Sequence, residues 1–514
     1  MGRPTETTNK PVNTASVKRT ADGHAAQEQW QDTRFYGHPR GLATLFFTEM
    51  WERFSYYGMR AILILFMVAP TSSGGLGFSV AKGGAVYGFY TAMVYLLSLP
   101  GGWVADRIIG QQKAVLYGGI LISAGEFSLA APGLPLFYLG LVLLMVGTGL
   151  LKPNVSTIVG QLYKPEDGRR DSGFSIFYMG INIGALISPL ICGYLGERVS
   201  WRLGFGAAGV GMLAGLIQYV LSGKYLGAAG LRPSGTGDPL KDQREKRHGM
   251  LAAMGALAML GIVAVFSRTG IIDLTAESIS DALGWLLMII SVAVFAWLIF
   301  GRSWSAIERK RAVAILVLFV SSAIFWAAYE QAGSSLNLFA ERNTDRHVLG
   351  WEFPASWFQF VQPVFVILLA PVFAWLWLAL RHREPSIPAK FAGGLLLGGL
   401  AFALLVPAAA GSKMASPWWL TGTYFLQTLG ELCLSPVGLS AMTKLAPARV
   451  AGFVMGVWFL SISIGDWVAG RAASFYESMA LPNLFGAVAA LSLVAVLLMA
   501  VMIKPTVRLM AGVK

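Results

Sequence analysis

Apolar runs of about twenty residues recur along nearly the whole chain, separated by short polar breaks. A membrane-crossing helix needs roughly 20 apolar residues at a rise of ~1.5 Å each. The runs predict spans near 41–68, 84–105, 113–131, 134–161, 172–195, 203–222, 249–268, 282–301, 312–338, 355–380, 391–410, 417–441, 451–474 and 483–503, fourteen in all. Strands of a membrane barrel would be about ten residues long and would alternate apolar with polar, whereas these runs are continuous and twice that length. The predicted fold class is all-α and integral to a membrane. Residues 1–40 are polar and lack the apolar core of a secretory signal, so they read as a cytoplasmic tail.

The polar breaks divide the spans into groups. A charged linker with Gly and Pro, 223–248, follows the sixth span, and a basic linker, 302–311, follows the eighth. Between them lie two spans, 249–268 and 282–301, with few polar residues. Without that pair, six spans stand on either side, which predicts two bundles with a cavity at their interface, as in major facilitator carriers. The expected organisation is a tail at 1–40, an N-terminal six-helix bundle at 41–222, a linker with two additional helices at 223–311, a C-terminal six-helix bundle at 312–503 and a tail at 504–514. With the N-terminus inside, and with Lys113, Arg268 and Arg471 near span ends counted with the adjoining loops, 29 of the 40 Lys and Arg fall in inside segments and 8 outside. That bias is the positive-inside pattern, and a shift by one helix would destroy it.

Composition narrows the function classes. Of 514 residues, 55% are hydrophobic and 13% charged, about half the ~25% charge of soluble domains. Such a chain cannot cover itself with polar groups, so much of its surface must face lipid. A soluble enzyme and a nucleic-acid-binding protein are excluded as main readings, and the net charge of +13 reflects loop topology. Cys192 and Cys433 lie in apolar runs and read as free thiols, with no disulfide framework or metal site. All five histidines fall in polar segments, so a proton site within the membrane would have to use carboxylates.

Apart from Lys113, Arg268 and Arg471 near span ends, nine Asp, Glu, Lys or Arg residues lie within the spans: Glu49, Glu52, Arg53, Arg60, Glu126, Lys152, Glu330, Glu431 and Asp466. Each costs roughly 2.5–3.5 kcal/mol at a helix centre, so such residues face a cavity and pair with one another. On the first span, Glu49, Glu52, Arg53, Tyr56 and Arg60 share a stripe about 100° wide, flanked by Tyr57. This face reads as a water-accessible substrate surface, with the planar fork of Arg53 suited to a carboxylate. The proline of Lys152-Pro153-Asn154 frees a carbonyl within the fourth span. Opposite charges in opposite halves make a gate that pairs when one side is shut.

The first-span string Glu49-Met-Trp-Glu52-Arg53-Phe-Ser-Tyr56-Tyr57-Gly58 resembles the E-x-x-E-R-F-x-Y-Y-G signature of the proton-dependent oligopeptide transporters, the POT/PTR family of the major facilitator superfamily. Gly102-Trp-Val-Ala-Asp106-Arg107-Ile-Ile-Gly110 resembles that family's form of the major-facilitator loop motif. Lys152-Pro153-Asn154, Phe177-Tyr178 with Asn182, Phe325-Trp326 with Glu330-Gln331, and Gly430-Glu431 with Ser435-Pro436 and Thr443 to Pro447 match in the same order. The extra helix pair is similar to that of bacterial members. Three positions depart from the family pattern. Gln362 precedes Pro363 where the family usually has Asn, Asp466 stands where an uncharged polar residue is common, and Glu126 matches no motif. Asp466 reads either as a second protonatable site or as a partner of Arg471.

The resemblance implies symport of di- and tripeptides with protons into the cell by alternating access, in the bacterial inner membrane, with both termini cytoplasmic. It implies no enzyme activity, no cofactor beyond the coupling proton, no nucleic-acid partner, contact with membrane lipid and function as a monomer. Carried over residue by residue, Arg53 and Lys152 would meet the peptide carboxylate, with Tyr57 nearby. Asn182, Glu431 and Gln362 would meet its amino end. Tyr95 and Trp458 would wall the pocket. Glu49 and Glu52 would form the coupling cluster with Lys152 as their ion partner, joined by Glu330. Arg60 with Glu330 would form an outside gate pair and Lys152 with Glu431 an inside one, while Asp106 and Arg107 would latch the cytoplasmic loop. The alternative is a major facilitator symporter for another small zwitterionic or anionic solute. No P-loop for ATP drive and no nucleophile–base or metal-ligand spacing occurs in the chain.

Overall fold

Proline and glycine set where the helices begin, bend and stop. The structure is a computed structural model that describes residues 30–164, 166–231, 274–302 and 304–513, together with 233, 238, 240–251, 254, 255 and 269. α1 (Arg40–Val68) begins after Pro39 and runs for 29 residues, about 43 Å at 1.5 Å per residue. α2 (Val80–Leu96) starts at Ser79, whose side chain accepts from the Lys82 amide, and ends where Pro100 can no longer donate to the Leu96 carbonyl. A short α3 (Ser98–Val104) continues it. α4 (Gln111–Ala130), α5 (Leu134–Gln161), α6 (Arg169–Tyr194) and α7 (Trp201–Ser222) complete the first half. α8 (Ala276–Phe300) follows, then α9 (Ala306–Tyr329) and α10 (Ser335–Arg342). A two-stranded hairpin, β1 (His347–Val348) with β2 (Trp351–Glu352), precedes α11 (Val361–Leu380). α12 (Ile387–Ala410), α13 (Pro417–Leu445), α14 (Ala451–Ser474) and α15 (Leu481–Leu509) close the chain.

Thirteen of the fourteen expected spans coincide with described helices. The one expected at 249–268 lies outside the described residues except for 249–251, 254 and 255, and the 1–40 tail is described only from residue 30. One span departs from the expected continuous helix. α9 stops at Tyr329, Glu330–Gly333 form a single 3-10 turn, and α10 resumes at Ser335. The cause is local. A Cβ on Gly333 would collide with the Tyr87 hydroxyl and lie 2.9 Å from Arg60 Nε, so bare backbone is required there. The break also turns the Glu330 carbonyl toward Arg60 Nη2, 3.4 Å away.

The helices pack as two halves of six. In the first, α1 lies against α6 and α7, and α4 against α5 and α7; in the second, α12 lies against α13 and α15, and α9 against α14. The halves meet along α2 with α14 and along α6 with α11. α8 lies against α2, α9 and α14. Trp467 Nε1 on α14 donates to the Ser280 carbonyl at 2.7 Å, the Trp467 ring covers Gly284, and Arg471 pairs with Asp281 at 3.3 Å. Arg471 is therefore committed to α8 and does not partner Asp466. Trp285, Phe300, Leu378 and Val501 are each more than two-thirds exposed, an apolar outer surface suited to hydrocarbon. Among the described residues nine helices are long and apolar enough to cross a membrane by length and composition. α1 is not one of them, because it carries the charged stripe. The chain is an integral membrane protein of the major facilitator fold.

Candidate functional site

Both described ends of the chain lie at one face of the bundle, called the terminal face below, and the 69–79, 343–360 and 475–480 connections lie at the far face. The polar stripe of α1 runs between them and is buried along its length. Glu49, Glu52, Arg53 and Arg60 are each less than a tenth exposed. Arg53 Nε lies 3.1 Å from Glu49 Oε1 and also pairs with Glu52. The guanidinium sits 5.1 Å from the centre of the Tyr56 ring. One oxygen of each acid, Arg53 Nη2 and the Tyr56 hydroxyl have no protein partner. Two carboxylates thus hold one guanidinium from its own helix and leave one of its donor edges free. Such unsatisfied buried groups mark a place that water or a ligand must serve.

Facing this stripe, α5 presents Lys152. Pro153 frees the Gly149 carbonyl, which presses on Gly101, and Asn154 Nδ2 donates to the Leu150 carbonyl at 2.7 Å. The close approach at Gly101 seats α5 on α3 and fixes the height of the lysine. Lys152 Nζ lies 3.6 Å from the centre of the Tyr95 ring, a cation–π contact. No carboxylate among the described residues stands within ion-pair distance of it. The expected pairing of Lys152 with Glu49 and Glu52 is therefore corrected for this conformation: Arg53, one turn away on the same helix, takes both acids. The Lys152–Glu431 pair is also unmade. Glu431 on α13 accepts from the Tyr329 hydroxyl at 2.6 Å and remains partly exposed.

The remaining expected residues divide into two groups. Tyr57 stands within electrostatic reach of Arg53, Arg60 and Glu431, between the two ends of the site. Asn182 is buried on α6 and spends one donor on the Tyr178 carbonyl at 2.9 Å. Gln362 Nε2 donates to Gln427 Oε1 at 3.0 Å, and Gln427 donates to the Ala328 carbonyl at 3.3 Å. The longer amide at 362 is thus held inside the second half by a residue the sequence did not mark. Trp458 is not brought to the site. It is buried under Gly438 and meets Phe391 edge-on at 6.4 Å. Its neighbour Phe459 stacks on Tyr95 instead, with ring centres 6.3 Å apart.

Toward the far face, Arg60 pairs with Glu330 across the two halves. Its Nε also donates to the Tyr87 hydroxyl at 2.6 Å. Further ties between the halves cluster on this side. Asn337 Nδ2 donates to the Ala61 carbonyl at 2.7 Å, Glu197 accepts from the Ala355 and Ser356 amides at 2.8 and 2.9 Å, and Trp357 Nε1 donates to the Leu190 carbonyl at 3.1 Å. At the terminal face, Arg107 lies 2.9 Å from Glu245 and 3.9 Å from Asp242 on the linker, while Asp106 accepts from Gln111 at 2.9 Å. Gln161 donates to Gln111 at 2.8 Å and accepts from the Gly230 amide at 2.7 Å. The loop motif thus ties the linker to the first half.

Two buried acids stand apart from these pairs. Glu126 on α4 accepts from Ser55 at 3.0 Å through one oxygen, and the other has no partner. Asp466 on α14 is 1% exposed with Oδ2 unpartnered. Tyr87, Tyr329, Gln427 and Phe459 are site residues that sequence reasoning missed. For Tyr87 a signal existed, since it stands between Gly84 and Gly88, and small residues around an aromatic mark a close helix crossing.

A family model described as the POT family matches residues 112–491. Over 494 residues the chain is 41% identical to the peptide transporter YePEPT of Yersinia enterocolitica, a match covering 93% of this chain and 96% of that one. It is 45% identical over 464 residues to the uncharacterized transporter YclF of Bacillus subtilis, covering 90% and 92% of the two chains. A crystal structure of a peptide transporter POT in complex with sulfate superposes with a TM-score of 0.90 at 43% identity, covering 96% of this chain and 99% of that one.

Proposed function

Because the chain belongs to the POT family, we propose that it carries di- and tripeptides into the cell together with protons, by alternating access. One observation carries the reading. An unfilled cationic edge, Arg53 Nη2 with the unpaired Lys152, stands on one half, and a partly exposed carboxylate, Glu431, stands on the other. A peptide is a zwitterion, so a cation at one end and an anion at the other recognise its termini and leave its side chains unread. Arg53 and Lys152 take the carboxylate; Glu431, Asn182 and Gln362 face the amino end; Tyr57, Tyr95 and Phe459 line the space between.

Coupling follows from competition for one guanidinium. A peptide carboxylate arriving on the free edge of Arg53 puts a third anion beside the guanidinium that Glu49 and Glu52 already share. An added like charge in a low-dielectric site favours the protonated form of a carboxylate. Substrate arrival and proton uptake are thereby linked at these two acids. Arg60 and Glu330 close the far face, which the bias of basic residues assigns to the outside. With that pair made and Lys152 apart from Glu431, the molecule faces inward. The division into bundles at 41–222 and 312–503, with 223–311 as their linker, belongs to this reading, as do cytoplasmic termini, a bacterial inner membrane and action as a monomer.

The test is uptake of labelled dialanine into liposomes holding the purified protein, driven by an inward proton gradient. Wild type should accumulate peptide. Glu49→Gln should lose gradient-driven uptake yet still exchange peptide in counterflow. Absence of uptake by wild type, beside a working peptide carrier, would sink the peptide assignment and favour another small zwitterion or anion.

A further inference from the structure

We propose that Asp466 is a second proton-binding site, occupied when the outer gate is shut and emptied when it opens. The inference rests on the alternating-access reading above. Asp466 lies one turn from a crossing where the two halves touch backbone to backbone. A Cβ on Gly88 of α2 would lie 2.8 Å from the Gly470 Cα and 3.3 Å from the Asp466 carbonyl oxygen. A Cβ on Gly84 would lie 2.8 Å from the Gly470 carbonyl oxygen. The backbones of α2 and α14 are thus in contact one turn from the acid, and its carboxyl is sealed between the halves.

The groups around it leave no cation for a carboxylate. Arg60 stands within electrostatic reach but is committed to Glu330 and Tyr87. Glu330 adds a like charge, and Lys152 is the next cation, seated on Tyr95. Tyr56 and Tyr87 are uncharged neighbours. From α8 the acids are Glu277, in its first turn, and Asp281, taken by Arg471. The charges of α13 are Glu431, held by Tyr329, and Lys444, fourteen residues from Gly430 toward the terminal face. On α10, Arg342 pairs with Glu477 at the far face.

Burial decides the state of Asp466. The residue is 1% exposed, its Oδ2 meets no donor, and no ion pair among the described residues reaches it. Thr91 of α2 faces the carboxyl, and its one hydroxyl proton is contested between that carboxyl and the Tyr87 and Gly88 carbonyls at 3.0 and 3.4 Å. A carboxylate there would have at best one contested neutral hydrogen bond and no ion pair, and a buried charge so poorly served takes up a proton. Thr91 and Asp466 belong to opposite halves, so opening the outer seam separates them and admits water. The acid then ionises, and closing must take the proton back.

The experiment places spin labels at Ser73→Cys and Ser478→Cys, one on each half at the outer face and both exposed, with Cys192 and Cys433 replaced by alanine. The distance distribution is recorded against pH without peptide, so the result is independent of whether dialanine is carried. In wild type the ratio of closed to open should rise as pH falls. Linkage makes one proton worth about tenfold per pH unit. Asp466→Asn, which mimics the protonated acid, should lower that slope by one proton, and Asp466→Glu should keep it. If the Asn variant does not fold, Asp466→Ser is used in its place. Equal slopes in wild type and the non-ionisable variant, or no pH dependence in wild type, would overturn the proposal.

Discussion

Arg53 is held by two acids of its own helix and still keeps a free donor edge, which makes the shape of the guanidinium, rather than its charge alone, the feature that matters. A lysine at this position could meet one acid or the substrate but not both in a plane. Arg53→Lys should weaken binding of a dipeptide with a free carboxylate by about tenfold or more, the worth of a charge-assisted hydrogen bond. Binding of the same dipeptide amidated at its C-terminus should be weak in both proteins and unchanged by the substitution. Competition against a labelled peptide measures both, and equal loss for the two ligands would place Arg53 in the scaffold and not at the carboxylate. The charged members of this site were legible in the sequence because a charge within an apolar run has few reasons to be there. Their partners were less so. Nothing in spacing separates Trp458 from Phe459 as the residue facing Tyr95, since adjacent residues on a helix differ by about 100° and only the packing against Gly438 decides which turns inward. Tyr329 and Gln427 carry no charge, and their hydrogen bonds exist only once α9, α11 and α13 have come together.

Among the elements, the segment before α1 is a strap tied to the α5–α6 connection through Tyr163 and to the start of α6 through Arg169. Arg169 donates to the Trp30 carbonyl at 2.8 Å, the Gly37 carbonyl at 3.1 Å and the Asp32 carbonyl at 3.4 Å. Hydrogen bonding from Arg169 holds Asp167 down to about 2. Burial works to raise Asp32, but the hydrogen bonds of Arg34 and of the Arg40 and Arg34 amides bring it to about 2. His38, hydrogen-bonded to the Tyr163 hydroxyl at 2.9 Å, is pushed below its ordinary 6.5 by burial and by the Arg169 charge, with Asp167 opposing. A depressed value means the folded strap binds fewer protons than the free one, so its stability is full above 6.5 and declines as pH falls toward the folded value. The two aspartates act in the same sense, but only between 3.8 and about 2. Between pH 7 and 5, therefore, His38 alone should loosen the strap. Hydrogen exchange of the 35–41 amides, corrected for intrinsic rate, should speed up over that range in wild type and not in His38→Gln. Arg169→Ala should speed it about tenfold at every pH, since charge-assisted hydrogen bonds to three carbonyls are lost together. No change in either variant would mean that the strap is held by its apolar contacts. This element was outside the reach of periodicity, because a ten-residue segment without a repeat announces no structure until its partners on another loop are known.

For the whole molecule, hydrophobic runs and the placement of Lys and Arg were enough to reveal the helices, because a backbone in hydrocarbon has no other way to satisfy its polar groups. The conformation was not legible. The sequence offers an outer pair, Arg60–Glu330, and an inner one, Lys152–Glu431, at once, and this structure makes only the first. What holds this molecule in one of them is a contact of bare backbones. Gly84 and Gly88 on α2 meet Gly470 on α14 so closely that a Cβ on Gly470 would run into the Gly88 Cα and lie 2.7 Å from the Gly84 carbonyl oxygen. Both obstacles are backbone atoms and cannot swing aside. Gly470→Val should therefore prop the outer seam apart while leaving the interior of each half intact. Overpacking of this kind costs about 1–3 kcal/mol, a shift of roughly 5- to 150-fold between closed and open. Labels at positions 73 and 478 should report a longer outer distance, and gradient-driven uptake should fall by a similar factor. Peptide should still bind from the outside, because none of the residues assigned to its termini touches the seam. A variant that transported at the wild-type rate would show that α2 and α14 need not close on one another, and would move the outer gate from this crossing to the Arg60–Glu330 pair alone.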